Sequence, residues 1–404
     1  MTSPLSQEAN EQSLDLLQRA ARPWGFAASP DFDHYDALWV RDAAVAVLGA
    51  TATEDGVALE ACNSTLNTIT RATSENGHVP AVIWDDAGKR DWGEGGVVDT
   101  NAWFVIASEA LFQRTGDAKW AAMVWPTITR AIGWLAARDI TGTGIVSAAP
   151  STDWMDSSLT RSGRTLHLNA LYAWAVRSAG VIAQAVGDEP PIQLEDLANR
   201  INLLFWPEPG RDFLNLHSDG LLHTAIVESH RHLAAMPRKH YVSHVIHSAF
   251  VDRCDVLANL VAILAGVAER PRAASILDFL HETGVDRPYP SKTWPEPIAA
   301  GDPMLDQRIE ERLDPRWRNP PHAYHNAAVW PYVGALHAAA AARTGEAGRA
   351  LELLHRTAEA NAAGGWRFSE WLHGQTGEPL GAPSQTWNAG AFLYAYRLVA
   401  NNPA

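Results

Sequence analysis

One stretch of the chain, residues 117–187, shows the pattern that decides the fold. It reads DAKWAAMVWPTITRAIGWLAARDITGTGIVSAAPSTDWMDSSLTRSGRTLHLNALYAWAVRSAGVIAQAVG. Apolar residues recur with the helical period in 117–138 and again in 166–187. Asp117, directly after Gly116, is a favourable N-cap for the first helix. The residues between the two helices lack this period and are rich in Gly, Ser, Thr and Asp. The stretch therefore predicts a helix, a long polar loop with a Trp, and a second helix.

The same alternation extends along the whole chain and predicts about twelve helices. Six helical hairpins can close into a double ring, in which alternate connecting loops gather around one funnel. Because loops held by a rigid scaffold commonly carry function, this end of the ring is where we expect the site. An open α-solenoid is the alternative, but it would show a sustained repeat with short loops. The predicted helices are 6–22, 41–53, 57–74, 99–115, 117–138, 166–187, 192–205, 245–268, 270–284, 324–344, 346–362 and 384–400.

The predicted fold is thus an all-α (α/α)6 toroid, formed by residues 1–404 as a single domain. Longer loops lie at 22–40, 75–98, 139–165, 206–244, 285–323 and 363–383. We interpret 206–244 as a lid or insertion loop. Its basic residues around 230–240 favour a solvated lid, or alternatively a contact with an anionic aglycone.

The composition of the chain disfavours nucleic acid and membranes as partners and favours a carbohydrate ligand. The chain has 46 acidic against 32 basic residues and a net charge of −14, which disfavours binding to nucleic acid. The start lacks a secretory signal pattern, and no apolar run is long enough to span a membrane. We therefore expect a cytoplasmic protein with no membrane partner. The 17 Trp residues favour a carbohydrate ligand, because flat aromatic faces suit the C–H faces of sugar rings; core packing is the alternative for most of them.

Two carboxylates flank a Trp in the loop between the first two helices described, in the sequence Asp153-Trp154-Met155-Asp156. A carboxylic acid against an indole is hard to ionise, so its pKa rises. Such an acid can protonate a departing glycosidic oxygen. Alternatively, both aspartates only cap the loop. Arg161, shortly after, either holds this loop or contacts a ligand.

A third carboxylate, Glu370, lies between the aromatic residues Phe368 and Trp371 in a Gly-rich loop. A general base that activates water on the opposite face of a sugar must come from a different loop than the acid. In an inverting enzyme the two carboxyl groups are about 6.5–9.5 Å apart, which loops on opposite sides of a ring allow. The alternative is a short hairpin with Glu370 bonded to backbone.

Further polar and aromatic residues cluster where other loops enter helices. An adjacent Arg and Asp can bridge neighbouring sugar hydroxyls as donor and acceptor, although an N-cap and its ion-pair partner would look the same. A His in such a place is also often structural. The residues predicted to bind substrate in these clusters are Trp39, Arg41, Asp42, His325, Asn326, Trp330, Gln385 and Trp387.

Metal sites are poorly supported by the sequence. His244 and His247 are three residues apart and Asp252 follows, but this is not a recognised ligand pattern, and the chain has only two cysteines. No phosphate-binding Gly loop or nucleophile elbow is present. We expect neither a metal nor an organic cofactor.

Five short motifs, in this order, resemble those of (α/α)6 glycosidases. The similarity is to neutral/alkaline invertases and to the amylo-α-1,6-glucosidase domain of glycogen debranching enzymes, and it covers the chain from about residue 30 to its end. The motifs are Trp39-Val40-Arg41-Asp42, Asp153-Trp154-Met155-Asp156, Leu168-Asn169-Ala170-Leu171-Tyr172, Tyr324-His325-Asn326 through Trp330-Pro331, and Gln385-Thr386-Trp387.

The resemblance implies roles for individual residues. Asp156, rather than Asp153, corresponds to the general acid, because debranching-type relatives keep only the second carboxylate of that motif. Glu370 resembles the base, and Arg41 with Asp42 resembles the pair that anchors a glucosyl ring. The segment from Asp99 to Trp103 is similar to one near the same pocket. Asp153, Trp154, Arg161 and Trp371 complete the predicted substrate-binding set.

The sequence departs from these families in ways that affect the substrate. Ala327 and Ala328 stand where the families usually have Gly, and loop 206–244 has no counterpart, so specificity for sucrose does not carry over. We expect an inverting glycoside hydrolase acting on a small α-glucoside, such as a sucrose-like sugar, a glucosyl-oligosaccharide or a glucosyl-polyol. The alternatives are a disaccharide phosphorylase, a sugar epimerase or isomerase using His pairs such as His244 and His325, and a non-catalytic carbohydrate-binding helical protein.

Overall fold

The structure, a computed structural model, describes residues 2–84, 88–93, 95–210, 224–247 and 249–401. Within these residues the chain is mainly helical. Six helices form an inner layer: α2 (Val40–Ala50), α4 (Asp99–Thr115), α6 (Leu166–Val186), α9 (Val256–Ala265), α12 (Pro331–Thr344) and α14 (Thr386–Ala400). Six form an outer layer: α1 (Pro4–Ala20), α3 (Gly56–Ala72), α5 (Ala118–Ala136), α7 (Leu194–Phe205), α10 (Arg270–Glu282) and α13 (Ala347–Trp366).

The inner helices close into a ring. Helix α2 packs on α4, α4 on α6, α6 on α9, α9 on α12, α12 on α14, and α14 returns to α2. Each outer helix packs against inner ones, as α5 does against α4 and α6, and α13 against α12 and α14. This arrangement confirms the predicted all-α (α/α)6 toroid. That residues 1–404 form one domain stays a prediction.

The two layers differ in sequence pattern because they differ in burial. Twelve of the fourteen residues of α12 are buried, and ten of the eleven of α2, so these helices are apolar on every side. Outer helix α7 buries only five of its twelve residues and is strongly amphipathic. The inner layer therefore provides most of the rigid core on which the connecting loops stand.

Two glycines allow the ring to close between α2 and α14. A Cβ on Gly49 would lie 2.2 Å from the carbonyl oxygen of Gly390, and one on Gly390 would lie 2.4 Å from that of Val45. Neither distance is compatible with a side chain. The first and last inner helices thus meet backbone to backbone.

Short antiparallel strands brace the loops at one end of the ring. Strand β3 (Leu38–Trp39) pairs with β4 (Val82–Trp84), which also pairs with β5 (Lys89–Asp91). Strand β6 (Arg164–Thr165) pairs with β7 (His244–Ile246), and β7 pairs with β8 (Ala249–Val251). Two separate hairpins are β1 (Ala21–Arg22) with β2 (Gly25–Phe26), and β9 (Trp371–Leu372) with β10 (Pro379–Leu380). Because β3 and β6 run directly into α2 and α6, they fix where those helices begin.

Some predicted elements were wrong. Residues 245–268 were predicted as one helix, but the first part forms β7 and β8 and only α9 is helical. The helix predicted over 324–344 begins at Pro331, because Tyr324 and Ala327 have positive φ and Pro is favourable in a first helical turn. Helix α8 (Thr224–Ala234) and the single turn α11 (Gln307–Glu310) lie in segments predicted as loops.

Part of the predicted lid lies outside the described residues. Of the segment 206–244, residues 211–223 are not described, and the rest contains α8. Over the described ranges, no helix combines the length and apolar character needed to cross a bilayer.

Candidate active site

The predicted site residues gather at the N-terminal ends of the inner helices. Arg41 and Asp42 are in the first turn of α2, and Asp99 begins α4. Trp330 is the N-cap of α12, and Trp387 is in the first turn of α14. Tyr332, in the first turn of α12, was not among the predicted site residues. We call this end of the ring the funnel.

Arg41 is held rigidly by Asp99. Its Nε and Nη2 donate to the two carboxylate oxygens of Asp99 at 2.9 and 3.0 Å, and the Asp99 side chain is fully buried. The His167 ring lies 3.7 Å from the same carboxylate. Burial alone would raise the pKa of Asp99, but the Arg41 guanidinium and His167 outweigh it and hold the pKa at about 2. The pair is therefore a fixed, charged wall of the funnel.

Asp156 lies in the loop between α5 and α6 and is open to the funnel. Its side chain is 41 % exposed, and its Oδ2 is 3.9 Å from Nη1 of Arg41. The protein around the rest of the carboxyl excludes water and raises its pKa to about 6, Arg41 lowers the pKa, and Asp99 raises it. This carboxyl group is accessible, and with this pKa about one molecule in ten still carries it protonated at pH 7.

Glu370 precedes strand β9 and is held at both oxygens. Oε2 accepts from the backbone N–H of Ala382 at 3.0 Å, and Oε1 accepts from the Tyr35 hydroxyl at 3.1 Å. Burial nevertheless raises its pKa to about 7, in spite of these two hydrogen bonds, and the charge of Asp156 adds to the increase. The hairpin and the backbone bond that the sequence left as an alternative are both present. They orient the carboxylate and are compatible with a base.

A third carboxyl group, that of Asp42, is affected by the charges of Asp156 and Glu370. It is 5 % exposed, and burial raises its pKa to about 7 while Arg41 lowers it. Glu370 and Asp156 raise it further. The three carboxyl groups are thus close enough to affect one another's ionisation, which is a frequent property of catalytic sites.

Asp153 and Arg161 were predicted to bind substrate, but both are buried in the protein and pair with each other. Arg161 Nη2 donates to Asp153 Oδ1 at 2.8 Å, and its Nη1 forms an ion pair with Asp255. Asp255 in turn caps α9 by accepting from the N–H of Ala258. Arg161 is 2 % exposed and Asp153 is 3 % exposed. In the structure these residues therefore position the loop that carries Asp156.

Several buried hydrogen-bond donors around the funnel have no protein acceptor within the described part of the chain. Most buried polar groups in proteins are hydrogen-bonded, so a set of unpaired donors in one place indicates a site for ligand or water. The Tyr332 hydroxyl and the Gln385 amide nitrogen belong to this set. The predicted Trp residues whose indole N–H has no acceptor within reach among the described residues are Trp39, Trp103, Trp154, Trp371 and Trp387.

Other predicted residues are fully engaged with the protein. The Trp330 indole donates to the carbonyl of Tyr324 at 2.9 Å. His325 stacks on Trp330 and is 1 % exposed, and burial keeps its pKa well below the usual range, so its ring is neutral. The Asn326 side chain accepts from the N–H of Ile298 and donates to two carbonyls. These residues shape the funnel wall.

An apolar cleft of about 390 Å³ opens beside Glu370. Tyr35 is half-buried against Glu370. The loss of water around its phenol, and then the charge of Glu370, raise the pKa of Tyr35 well above its usual range. Tyr35 was not among the predicted site residues, although it lies only four positions before Trp39. The aromatic residues of the cleft are Phe32, Tyr35, Trp317 and Trp371. Among the described residues, no three His, Cys, Asp or Glu side chains are arranged to hold a metal ion.

Comparison with protein families identifies the class. Residues 30–227 match the bacterial alpha-L-rhamnosidase 6 hairpin glycosidase domain, and residues 228–388 match the mannosylglycerate hydrolase MGH1-like glycoside hydrolase domain. The two matches adjoin, and both describe glycosidase domains. Together with the closed double ring, they place the chain among the six-hairpin glycosidases: it is an (α/α)6 glycoside hydrolase.

Individual relatives agree with this class. A probable alkaline/neutral invertase D of Arabidopsis thaliana is 25 % identical over 357 residues, a match that covers 78 % of this chain but only 63 % of the relative. The GH63 mannosylglycerate hydrolase of Thermus thermophilus, solved with Tris and D-glycerate, has a TM-score of 0.67 at 15 % identity and covers 96 % of this chain and 99 % of its own. A Klebsiella oxytoca rhamnosidase with bound rhamnose has a TM-score of 0.63 at 14 % identity, covering 98 % of this chain and 64 % of its own. At these identities the two structures show a common fold.

Proposed function

We propose that the protein hydrolyses a small α-glucoside with inversion, using Asp156 as general acid and Glu370 as general base. The observation that carries this proposal is the pair itself. Two carboxyl groups from loops far apart in the sequence influence each other electrostatically, and both have a pKa near neutrality. Groups whose pKa lies near the working pH are the effective acid and base catalysts.

In the proposed reaction, Asp156 gives its proton to the glycosidic oxygen as the bond from that oxygen to the anomeric carbon breaks. Glu370 takes a proton from a water molecule, whose oxygen forms the new bond to the anomeric carbon from the opposite face. The products are a β-configured sugar and an alcohol. Tyr35 and the Ala382 N–H hold the base in place, while Arg41 and Asp42 bind sugar hydroxyls. No step requires a metal or organic cofactor.

The geometry disfavours two alternatives. A phosphorylase needs a free cation for phosphate, but Nε and Nη2 of Arg41 already donate to Asp99. Arg316, which lines the cleft beside Glu370, is paired with Asp314. An isomerase using His244 and His325 needs rings that exchange protons in solvent. Both rings are buried, and burial lowers the pKa of His244 to about 4. We also propose a cytoplasmic location and a small carbohydrate as the substrate.

The test compares wild type, Glu370→Gln and the control Glu378→Gln, which removes an exposed carboxylate from the same hairpin. Each is incubated with a panel of disaccharides and glucosyl-polyols, and the anomer formed first is followed by proton NMR. We expect a β-product from wild type and from the control, and no product from Glu370→Gln. An α-product, or an absolute need for phosphate, would contradict the proposal.

The role of Asp156 is tested by the leaving group. Asp156→Asn should lose most activity with substrates whose leaving group needs a proton. It should lose least with a glucosyl fluoride or an activated aryl glucoside, because those leaving groups depart without protonation. An equal loss with both kinds of substrate would show that Asp156 is not the acid. If wild type itself turns over none of the disaccharides and glucosyl-polyols, the proposed substrate class is wrong.

A further inference from the structure

A second cavity lies at the opposite end of the ring from the funnel. It has a volume of about 380 Å³ and is lined by residues of α2, α4, α6, α12 and α14. The funnel residues occupy the N-terminal ends of these same helices. Helix α4 runs from Asp99 at the funnel to Arg114 at this cavity, about 22 Å at 1.5 Å per residue. We call it the basal cavity.

The basal cavity is strongly basic, although the chain as a whole carries a net charge of −14. Glu109 is the only carboxylate among its lining residues. Arginine is the side chain best suited to phosphate, because its planar guanidinium offers paired donors. The arginines that line the cavity are Arg114, Arg177, Arg343 and Arg397.

Ordinary helix capping explains part of this cluster. Arg397 donates to the carbonyl of Ala52, just beyond the end of α2, and Arg114 forms an ion pair with Glu54. Arg114, Arg343 and Arg397 are each in the last turn of a helix, where a positive charge offsets the partial negative charge of the carbonyl end. Capping therefore accounts for the presence of basic residues at this end.

Capping does not account for Arg177 and Arg343 together. Arg177 is in the middle of α6, and its Nη1 donates to the carbonyls of Leu264 and Ala265 at 2.9 Å. Its guanidinium also lies 5.6 Å from the centre of the Trp174 ring and interacts with the charge of Glu109. Arg343 is exposed, and among the described residues no carboxylate or carbonyl lies within bonding distance of its guanidinium. The two guanidinium groups are close enough to repel each other. Burial lowers the pKa of Arg177 most, and the positive charge of Arg343 lowers it further. Glu109 offsets part of this positive charge, but four arginines line the cavity against that one carboxylate, so a further anion is favoured.

We propose that the basal cavity binds a small phosphorylated sugar, whose phosphate is held by Arg177 and Arg343. Its volume is within the range of small-molecule pockets and exceeds what a phosphate ion alone would fill. Three neutral polar side chains line the same space. The Thr51 hydroxyl donates to the Leu48 carbonyl and can still accept, Gln113 bonds Glu109, and Asn401 is exposed. This inference does not depend on the reaction proposed for the funnel.

The experiment measures binding by isothermal titration at fixed ionic strength, with glucose 6-phosphate, inorganic phosphate and glucose as probes. Wild type should bind glucose 6-phosphate more tightly than inorganic phosphate, and an excess of glucose should not displace it. Arg343→Gln should increase the Kd for glucose 6-phosphate by about tenfold, because the phosphate loses one charged hydrogen-bonding partner. The control is Arg71→Gln, which removes an exposed last-turn arginine of α3 and should leave the Kd unchanged.

Three results would overturn the proposal: no binding of glucose 6-phosphate by wild type, displacement of it by glucose, or an equal loss in both arginine variants. Inorganic phosphate binding as tightly as the sugar phosphate would overturn the assignment to a sugar. Because Arg343 is remote from the funnel, Arg343→Gln should retain wild-type hydrolysis without added ligand. Failure at the basal cavity is therefore distinguishable from failure of the proposed reaction.

Discussion

Replacing Tyr35 by Phe should change the pH profile of hydrolysis in a defined direction. The Tyr35 hydroxyl donates to Glu370 Oε1 at 3.1 Å and stabilises the charged form of that carboxylate, so its removal raises the pKa of Glu370. A hydrogen bond to a charged group contributes about 1.5–3 kcal/mol, and one pKa unit corresponds to about 1.4 kcal/mol. At the lower end of that range, the pKa of Glu370 increases from about 7 to about 8.

The consequence follows from the protonation states that the reaction needs. Asp156, with a pKa of about 6, must be protonated while Glu370 is ionised. Only about 6 % of wild-type molecules meet both conditions at pH 6.5, midway between the two pKa values. With the pKa of Glu370 at about 8, the best fraction is about 0.8 %, at about pH 7. The maximum of kcat/KM should therefore fall about sevenfold and its optimum should increase by about half a unit.

The assay is kcat/KM measured from pH 4 to 10 for wild type, Tyr35→Phe and the control Tyr396→Phe. Tyr396 is on α14, where its hydroxyl bonds Thr2, and has no contact with Glu370. In the Tyr35 variant the alkaline limb should move up from about pH 7 to about 8 while the acidic limb stays at about 6. A maximum of kcat/KM that increases in Tyr35→Phe would refute this assignment of acid and base, because the reverse assignment moves the same limb but raises the productive fraction. An unchanged alkaline limb would refute the role of Tyr35 in setting the pKa of Glu370.

Two further predictions concern positioning. Gly381→Ala should lower kcat by about 10–100-fold, because a Cβ there would lie 2.7 Å from Glu370 Oε2 and displace the base. Gly301→Ala is the matched control, since Gly301 also has positive φ but has no atom within 4 Å of an added Cβ, and similar losses in steady-state assays of both would contradict the argument. Arg161→Gln should lower the free energy of unfolding in urea by about 3–5 kcal/mol, because it leaves buried carboxylates unpaired. Arg308→Gln, which breaks an exposed pair, should leave the urea midpoint unchanged, and a comparable change in both variants would refute the role of burial.

Much of the helical framework could be predicted from local signals. Helix α4 has the predicted bounds, Asp99–Thr115, because its period is clear and Gly116 ends it in a left-handed conformation. Strands β7 and β8 could not be predicted in the same way. Val245 pairs with Arg164, far away in the sequence, and a short apolar run has no local feature that separates a strand from a helix. Tertiary pairing decides the conformation there.

The same distinction applies to the site. Short motifs with Trp residues predicted that Arg41, Asp42, Asp156 and Glu370 lie in loops around one funnel. In the structure these four residues lie there. It did not show that Arg161 is buried, because one of its partners, Asp255, belongs to a helix start 94 residues away. Distant pairing of this kind has no signature in a single sequence.

The seam between α2 and α14 has a consequence for folding kinetics. The contact between Tyr35 and Glu370 joins residues 335 positions apart, and the close approach of Gly49 to Gly390 joins the same two parts of the chain. Contacts of such long range form late, since the entropy of closing the loop must be overcome first. Helices can therefore be complete while the base is still unoriented. We expect refolding chains to regain the helical signal in circular dichroism before they regain activity. The return of turnover then marks the moment at which the two ends of the ring join.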